Sequence, residues 1–184
     1  LIISHHPVIF NPIKSVTKGS VPYELAASSI NALCCHTPLD IADGGTNDSL
    51  AELLGIEVTR ADDPILRLGT VEPTTAENLA AKIAKTLNTK VRYADAGRTI
   101  EKIAICTGAG CSLIEAAGDI DAFITGDASH HNFLDCVQES ITLIAAGHYE
   151  TEIVVVPVLV KKLHAQFPDI EIIDIKQENP IKFI

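Results

Sequence analysis

The chain has 184 residues, 47% of them hydrophobic and 21% charged, with a formal net charge of −10. This is a globular composition, enough for one domain or two small lobes and unlike that of a disordered chain. No apolar run approaches the roughly 18 residues of a membrane span, and the absence of any Lys/Arg run argues against a nucleic-acid surface.

Strand-like and helical patterns alternate along the chain. LII (1–3) reads as a strand. PYELAASSIN (22–31) reads as a helix with Pro22 in its first turn. ALCC (32–35) is a second strand, and NDSLAELLG (47–55) a helix stopped by Gly55. ILRLGTV (65–71) is a strand. TTAENLAAKIAKTLN (74–88) is the clearest amphipathic helix, with Leu79, Ile83 and Leu87 four residues apart. KVRYA (90–94), KIAIC (102–106), AFIT (122–125) and ITLIAA (141–146) are strands. A helix runs from His148 to about Phe167, closing before Pro168, and IEIIDI (170–175) ends the series as a strand.

Doubly apolar strands between helices predict a layered α/β fold with a mostly parallel or mixed sheet. The weakest boundaries, 61–73 and 95–100, allow one lobe of 1–60 plus 122–184 and a middle lobe of 61–121. The five cysteines have no C-x-x-C spacing. They read as small buried residues of a reducing compartment, and nothing resembles a signal peptide, so a cytoplasmic location is expected. The chain holds no Met and starts inside a strand-like run, so a missing N-terminal portion is expected.

Ligand-type residues collect where strands end. LIIS runs into His5 and His6, turned by Pro7. LCCHTPLD supplies His36 and Asp40. FITGDASHHNF supplies Asp127, a candidate helix cap, and His130 and His131. LIAAGHYETE places His148 and Glu152 at i and i+4 on one helix face, with Glu150 pointing to solvent. Six of the seven histidines lie in these four places, His164 being the exception. In α/β folds, ligand sites form at the carboxyl ends of strands. The set His5, His6, Asp40, His148 and Glu152 is mixed nitrogen and oxygen without thiolate. It is too large for one tetrahedral zinc and fits two divalent ions, zinc, manganese or iron(II), sharing a carboxylate. The Gly108-x-Gly110 turn is a weak candidate for holding phosphate and reads better as a plain tight turn.

Taken together, SHHP, HTPLD, the strand–G-x-G turn, TGD with His131 four residues on, and GHYETE resemble, in this order, the NIF-three-like (NGG-one-interacting factor three) family. Members of that family include GTP cyclohydrolase I type 2 homologues and dinuclear metal-binding proteins. The resemblance implies that His5, His6, Asp40, His148 and Glu152 hold two metals, with Glu152 bridging. It further implies two similar α/β lobes and a toroidal homohexamer. Family members carry an additional N-terminal segment that this sequence lacks. The activity implied is metal-dependent hydrolysis of a small-molecule substrate, a nucleotide such as GTP, with His36 or His131 moving protons. A phosphoesterase and a non-catalytic metal-binding scaffold are the alternatives.

Overall fold

The structure is a computed structural model and describes residues 1–182. Strands β1 (Ile2–Ser4) and β2 (Ala32–Cys34) form a two-stranded parallel sheet, with helix α1 (Val21–Ala27) between them in sequence. Helices α2 (His36–Ile41) and α3 (Thr46–Leu54) follow. A six-stranded sheet is then built from β3 (Val58–Arg60), β4 (Arg67–Thr74), β5 (Arg92–Ala94), β6 (Ile100–Cys106), β7 (Ala122–Thr125) and β8 (Thr142–Ala145), in the order β3-β4-β6-β7-β8-β5. Its centre, β6–β7–β8, is parallel, while β3, β4 and β5 join antiparallel. The sheet is therefore mixed, as the sequence allows.

Alternation along the central strands supplies two cores, because successive side chains point to opposite faces. Ile103, Ile105, Ile124 and Ile144 face α3 and α4 (Ala76–Leu87), meeting Leu50, Leu54, Leu79 and Ile83. Ala104, Cys106, Phe123 and Leu143 face the other way, toward Ile120 and Cys136, the latter on α5 (His130–Gln138). Helix α4 is capped by Thr75, whose hydroxyl accepts the Asn78 N–H, and α5 by a reciprocal Ser129–Asn132 capping box. No helix among the described residues is long and apolar enough to cross a membrane.

Several expectations change. The helix expected over 148–167 is two, α6 (His148–Glu152) and α7 (Val155–Gln166). In one continuous helix the Pro157 ring would clash with the Ile153 carbonyl; the break leaves Pro157 in the first turn of α7, where no N–H is needed. Residues 170–175 carry no strand, since an alternating sequence still needs a neighbour to pair with. The tail lies against α6 instead. Tyr149 Oη donates to the Gln177 carbonyl at 2.6 Å, and Asn179 Nδ2 donates to Glu150 Oε1 at 2.7 Å, so Glu150 is not merely solvent-facing. Only Cys106 and Cys136 are buried among the five cysteines, and all five are free thiols. Arg67 is 2% exposed on β4, paired with Asp48 and donating to the Ile41 carbonyl at 3.0 Å. It fastens the end of α2 to the sheet.

Candidate metal centre

The three central parallel strands end side by side, Cys106 beside Thr125 and Thr125 beside Ala145. The main chain beyond them stacks in the same order. Gly126 N–H donates to the Gly108 carbonyl at 2.9 Å, and Gly147 N–H to the Gly126 carbonyl at 3.0 Å. Gly108 has φ +63, and a Cβ there would lie 2.3 Å from Glu152 Oε1. A Cβ on Gly126 would lie 2.7 Å from the Gly108 carbonyl oxygen and 2.8 Å from His148 Cα. Only glycine lets these loops close so tightly. Helix α6 therefore starts directly on the loops, with His148 and Glu152 one turn apart on a single face.

The other half of the site comes from the small sheet. β1 and β2 also end in register, Ser4 beside Cys34. His5 and His6 follow β1, and α2 begins at His36 and carries Asp40 one turn later.

The two halves meet. His5 Nε2 lies 2.8 Å from Asp40 Oδ1. Glu152 touches three imidazoles: Oε2 is 2.8 Å from His6 Nε2 and 3.5 Å from His5 Nδ1, and Oε1 is 3.0 Å from His148 Nε2. The rings sit close, His5–His6 at 5.1 Å, His5–His36 at 5.3 Å, His6–His36 at 5.4 Å and His6–His148 at 5.3 Å between centroids. The His5 and Glu152 side chains are 12% and 13% exposed, whereas His6 is 57% exposed. The cluster thus has a floor and an open rim. Two overlapping groups emerge, His5/His6/His36 and His6/His148/Glu152, whose ligand atoms lie within 4.8 Å of one another.

Charge follows this geometry. The hydrogen bond to Glu152 raises the His148 pKa to about 9, against burial and helped by Asp127. Burial opposes charging His5, but its hydrogen bond to Asp40 and the nearby carboxylates prevail and raise its pKa. Burial likewise opposes ionising Glu152, but hydrogen bonds from His148 and His6 outweigh it and hold the carboxyl below its ordinary value.

All five residues expected as ligands are in this constellation. His36, expected as a proton carrier, stands within it as a possible ligand. His131 sits on α5 with its ring 6.1 Å from that of His130, and no hydrogen bond, ion pair or ring contact among the described residues joins it to the cluster. Asp127 is not the cap of α5; Ser129 is. Instead Asp127 Oδ2 lies 2.6 Å from His148 Nδ1, orienting that ring from behind. Its place just past a strand end, like that of the other ligand-type residues, was the available signal. The Gly108 and Gly110 N–H groups donate to Thr151 Oγ1 and Thr125 Oγ1, each at 3.1 Å, so these amides serve the fold and not a phosphate.

The sequence profile of Duf34/NIF3 (NGG1p interacting factor 3) matches residues 1–180. A Campylobacter jejuni protein named GTP cyclohydrolase 1 type 2 homolog is 33% identical over 158 residues, covering 83% of this chain. The chain spans 64% of that relative's length. Among solved structures, protein ybgI, described as of unknown function, is 31% identical with a TM-score of 0.87, over 97% of this chain and 76% of its own. Staphylococcus aureus protein SA1388 is 25% identical with a TM-score of 0.90, over 100% of this chain and 79% of its own.

Proposed function

The chain belongs to the Duf34/NIF3 family, and from that premise we propose that its histidine cluster holds two divalent metal ions and hydrolyses a nucleotide. The observation that carries this reading is the pair of three-residue donor groups meeting at His6, each with its ligand atoms within 4.8 Å. One donor atom supports the fit directly: His5 Nδ1 is buried without a hydrogen-bond partner. A buried ring nitrogen in that state is costly, and a cation would satisfy it. The imidazole and carboxylate donors, with no thiolate among them, favour zinc, manganese or iron(II) over magnesium or calcium. His5, His6, Asp40, His148 and Glu152 would hold the ions, with His36 beside them.

Bound there, such ions supply Lewis acidity and make water nucleophilic near neutral pH. The chain's own residues prepare the place. Asp127 accepts the His148 Nδ1 proton and so presents Nε2 to the cluster. Asp40 holds His5 by Nε2 and leaves Nδ1 turned toward Glu152. His36 is half-buried, with its ring beside those of His5 and His6, where it can pass a proton to a leaving group. The nucleotide as substrate is supported by the names of relatives such as the Campylobacter jejuni protein.

The test is elemental analysis of wild type and Glu152→Ala, followed by a hydrolysis screen with GTP and other nucleotides. Two ions per wild-type chain, a sharp fall in the variant, and turnover abolished by Glu152→Gln are the expected results. Two ions without turnover of any nucleotide would leave a metal-binding scaffold and remove the hydrolase. Near-zero metal after adding zinc, manganese or iron(II) would overturn the whole reading.

A further inference from the structure

His36 and Asp40 ride on α2, His148 and Glu152 on α6, and the two helices belong to different parts of the fold. Helix α3 packs against both. Asn47, in the first turn of α3, is 0% exposed and bonds to each side. Its Oδ1 accepts the Thr107 N–H at 2.8 Å, and its Nδ2 donates to the Asp40 carbonyl at 3.2 Å. Thr107 immediately precedes Gly108. The Gly108 N–H is held by Thr151 of α6 at 3.1 Å, and its carbonyl receives the Asp127 N–H at 2.8 Å. One carboxamide therefore joins the main chain under Asp40 to the loop against which Glu152 packs. An amide carries donor and acceptor in one rigid plane, and burial makes the loss of either bond costly. Arg67 and Arg60 also grip α2, both through the Ile41 carbonyl, but from β4 and β3. Among the described residues, neither bonds to the Gly108 loop.

We infer that Asn47 is a positioning residue: it sets the separation between the two halves of the cluster, and so the affinity of the ion on the α2 side. The inference rests on the dinuclear reading proposed above. Groups that hold metal ligands from behind change affinity by about 10–100-fold when altered. What distinguishes Asn47 from a merely structural residue is that its loss falls on one ion and not on both.

The experiment is a zinc titration of the full chain against a chromophoric chelator, for wild type, Asn47→Asp and Asn47→Ser, with thermal melting recorded in excess chelator. Asn47→Asp keeps the acceptor for Thr107 but replaces the donor with a second acceptor facing the Asp40 carbonyl. It should keep one ion at wild-type affinity and bind the other about 10–100-fold more weakly. The cobalt(II) absorption spectrum should lose the contribution of one site only. If Asn47→Asp shows no cooperative melt, Asn47→Ser, whose hydroxyl can replace one bond, is read in the same way. Two ions bound with wild-type affinities, or both weakened equally, overturn the inference while the dinuclear reading stands. A wild-type chain that takes up fewer than two ions overturns both together.

Discussion

Among the described residues none before Gly45 is buried, whereas Ile103, Ile105, Phe123, Leu143 and Ile144 in the six-stranded sheet are wholly enclosed. Yet each region supplies half of the cluster. His148 and Glu152 stand on strand ends fixed by two packed cores. His5, His6, His36 and Asp40 stand on a two-stranded layer with little apolar burial, fastened by polar links through Arg60, Arg67 and Asn47. Hydrophobic burial thus secures one set of candidate ligands, and directed hydrogen bonds secure the other. Directed bonds set distance and angle, which apolar packing leaves looser.

The contrast is broken most severely in the core. Phe123→Ala removes a side chain of 0% exposure and should cost about 3–5 kcal/mol in chemical denaturation. A loss under about 1 kcal/mol would mean that the sheet is less tightly packed than its burial implies.

Next is Asp121, 6% exposed and immediately before β7. Burial opposes its ionisation, but the N–H groups of Lys102 and Glu101 and the Arg98 guanidinium prevail and hold its carboxyl below the ordinary range. A folded pKa below the unfolded value of about 3.9 adds stability above that pH, lost as pH falls through the folded pKa. Asp121→Asn should therefore cost about 2 kcal/mol at neutral pH through weakened charged hydrogen bonds. It should also flatten the acid limb of the stability–pH curve. An unchanged acid limb would show that Asp121 is not what holds that limb.

Gly108→Ala tests where the two regions touch. The left-handed conformation costs about 1–2 kcal/mol. The added methyl, 2.3 Å from Glu152 Oε1, should displace that carboxylate and, on the dinuclear reading proposed above, lower metal content as expected for Glu152→Ala. Full metal content would show that Glu152 can retreat without consequence. The smallest effect belongs to the outer layer: Leu33→Ala, at 51% exposure, should change stability by no more than about 0.5 kcal/mol.

The legibility of the sequence follows the same divide. AFIT was read to its ends, and KIAIC and ITLIAA nearly so, because central strands are apolar on both faces. Val58–Arg60 escaped notice, being three residues at a sheet edge with two of them exposed. The helix α2 was hidden because His36–Ile41 buries nothing and so shows no apolar period. The meeting of the five expected ligand residues was legible because ligand-type side chains follow apolar runs, LIIS, LCC and ITLIAA, at their carboxyl ends, although only the last of these runs is buried. Asp127 was seen and given the wrong partner, since a carboxylate ahead of a helix normally caps it. Asn47 carried no signal at all: its role depends on Thr107 and Asp40, distant in sequence, meeting one amide.

The glycine pair at Gly108 and Gly126 has a consequence for anyone wishing to redesign this centre. At Gly126 the main chain itself, and at Gly108 the tip of a candidate ligand, lies within 3 Å of a would-be Cβ, so any larger residue displaces one or the other. A saturation library that includes them fills with members whose loops or Glu152 are displaced. Variation aimed at new chemistry belongs on the open rim, along the loop that carries Phe10, whose ring lies 6.0 Å from that of His36. There a changed side chain alters what can enter and leaves untouched the scaffold that holds Glu152 in place.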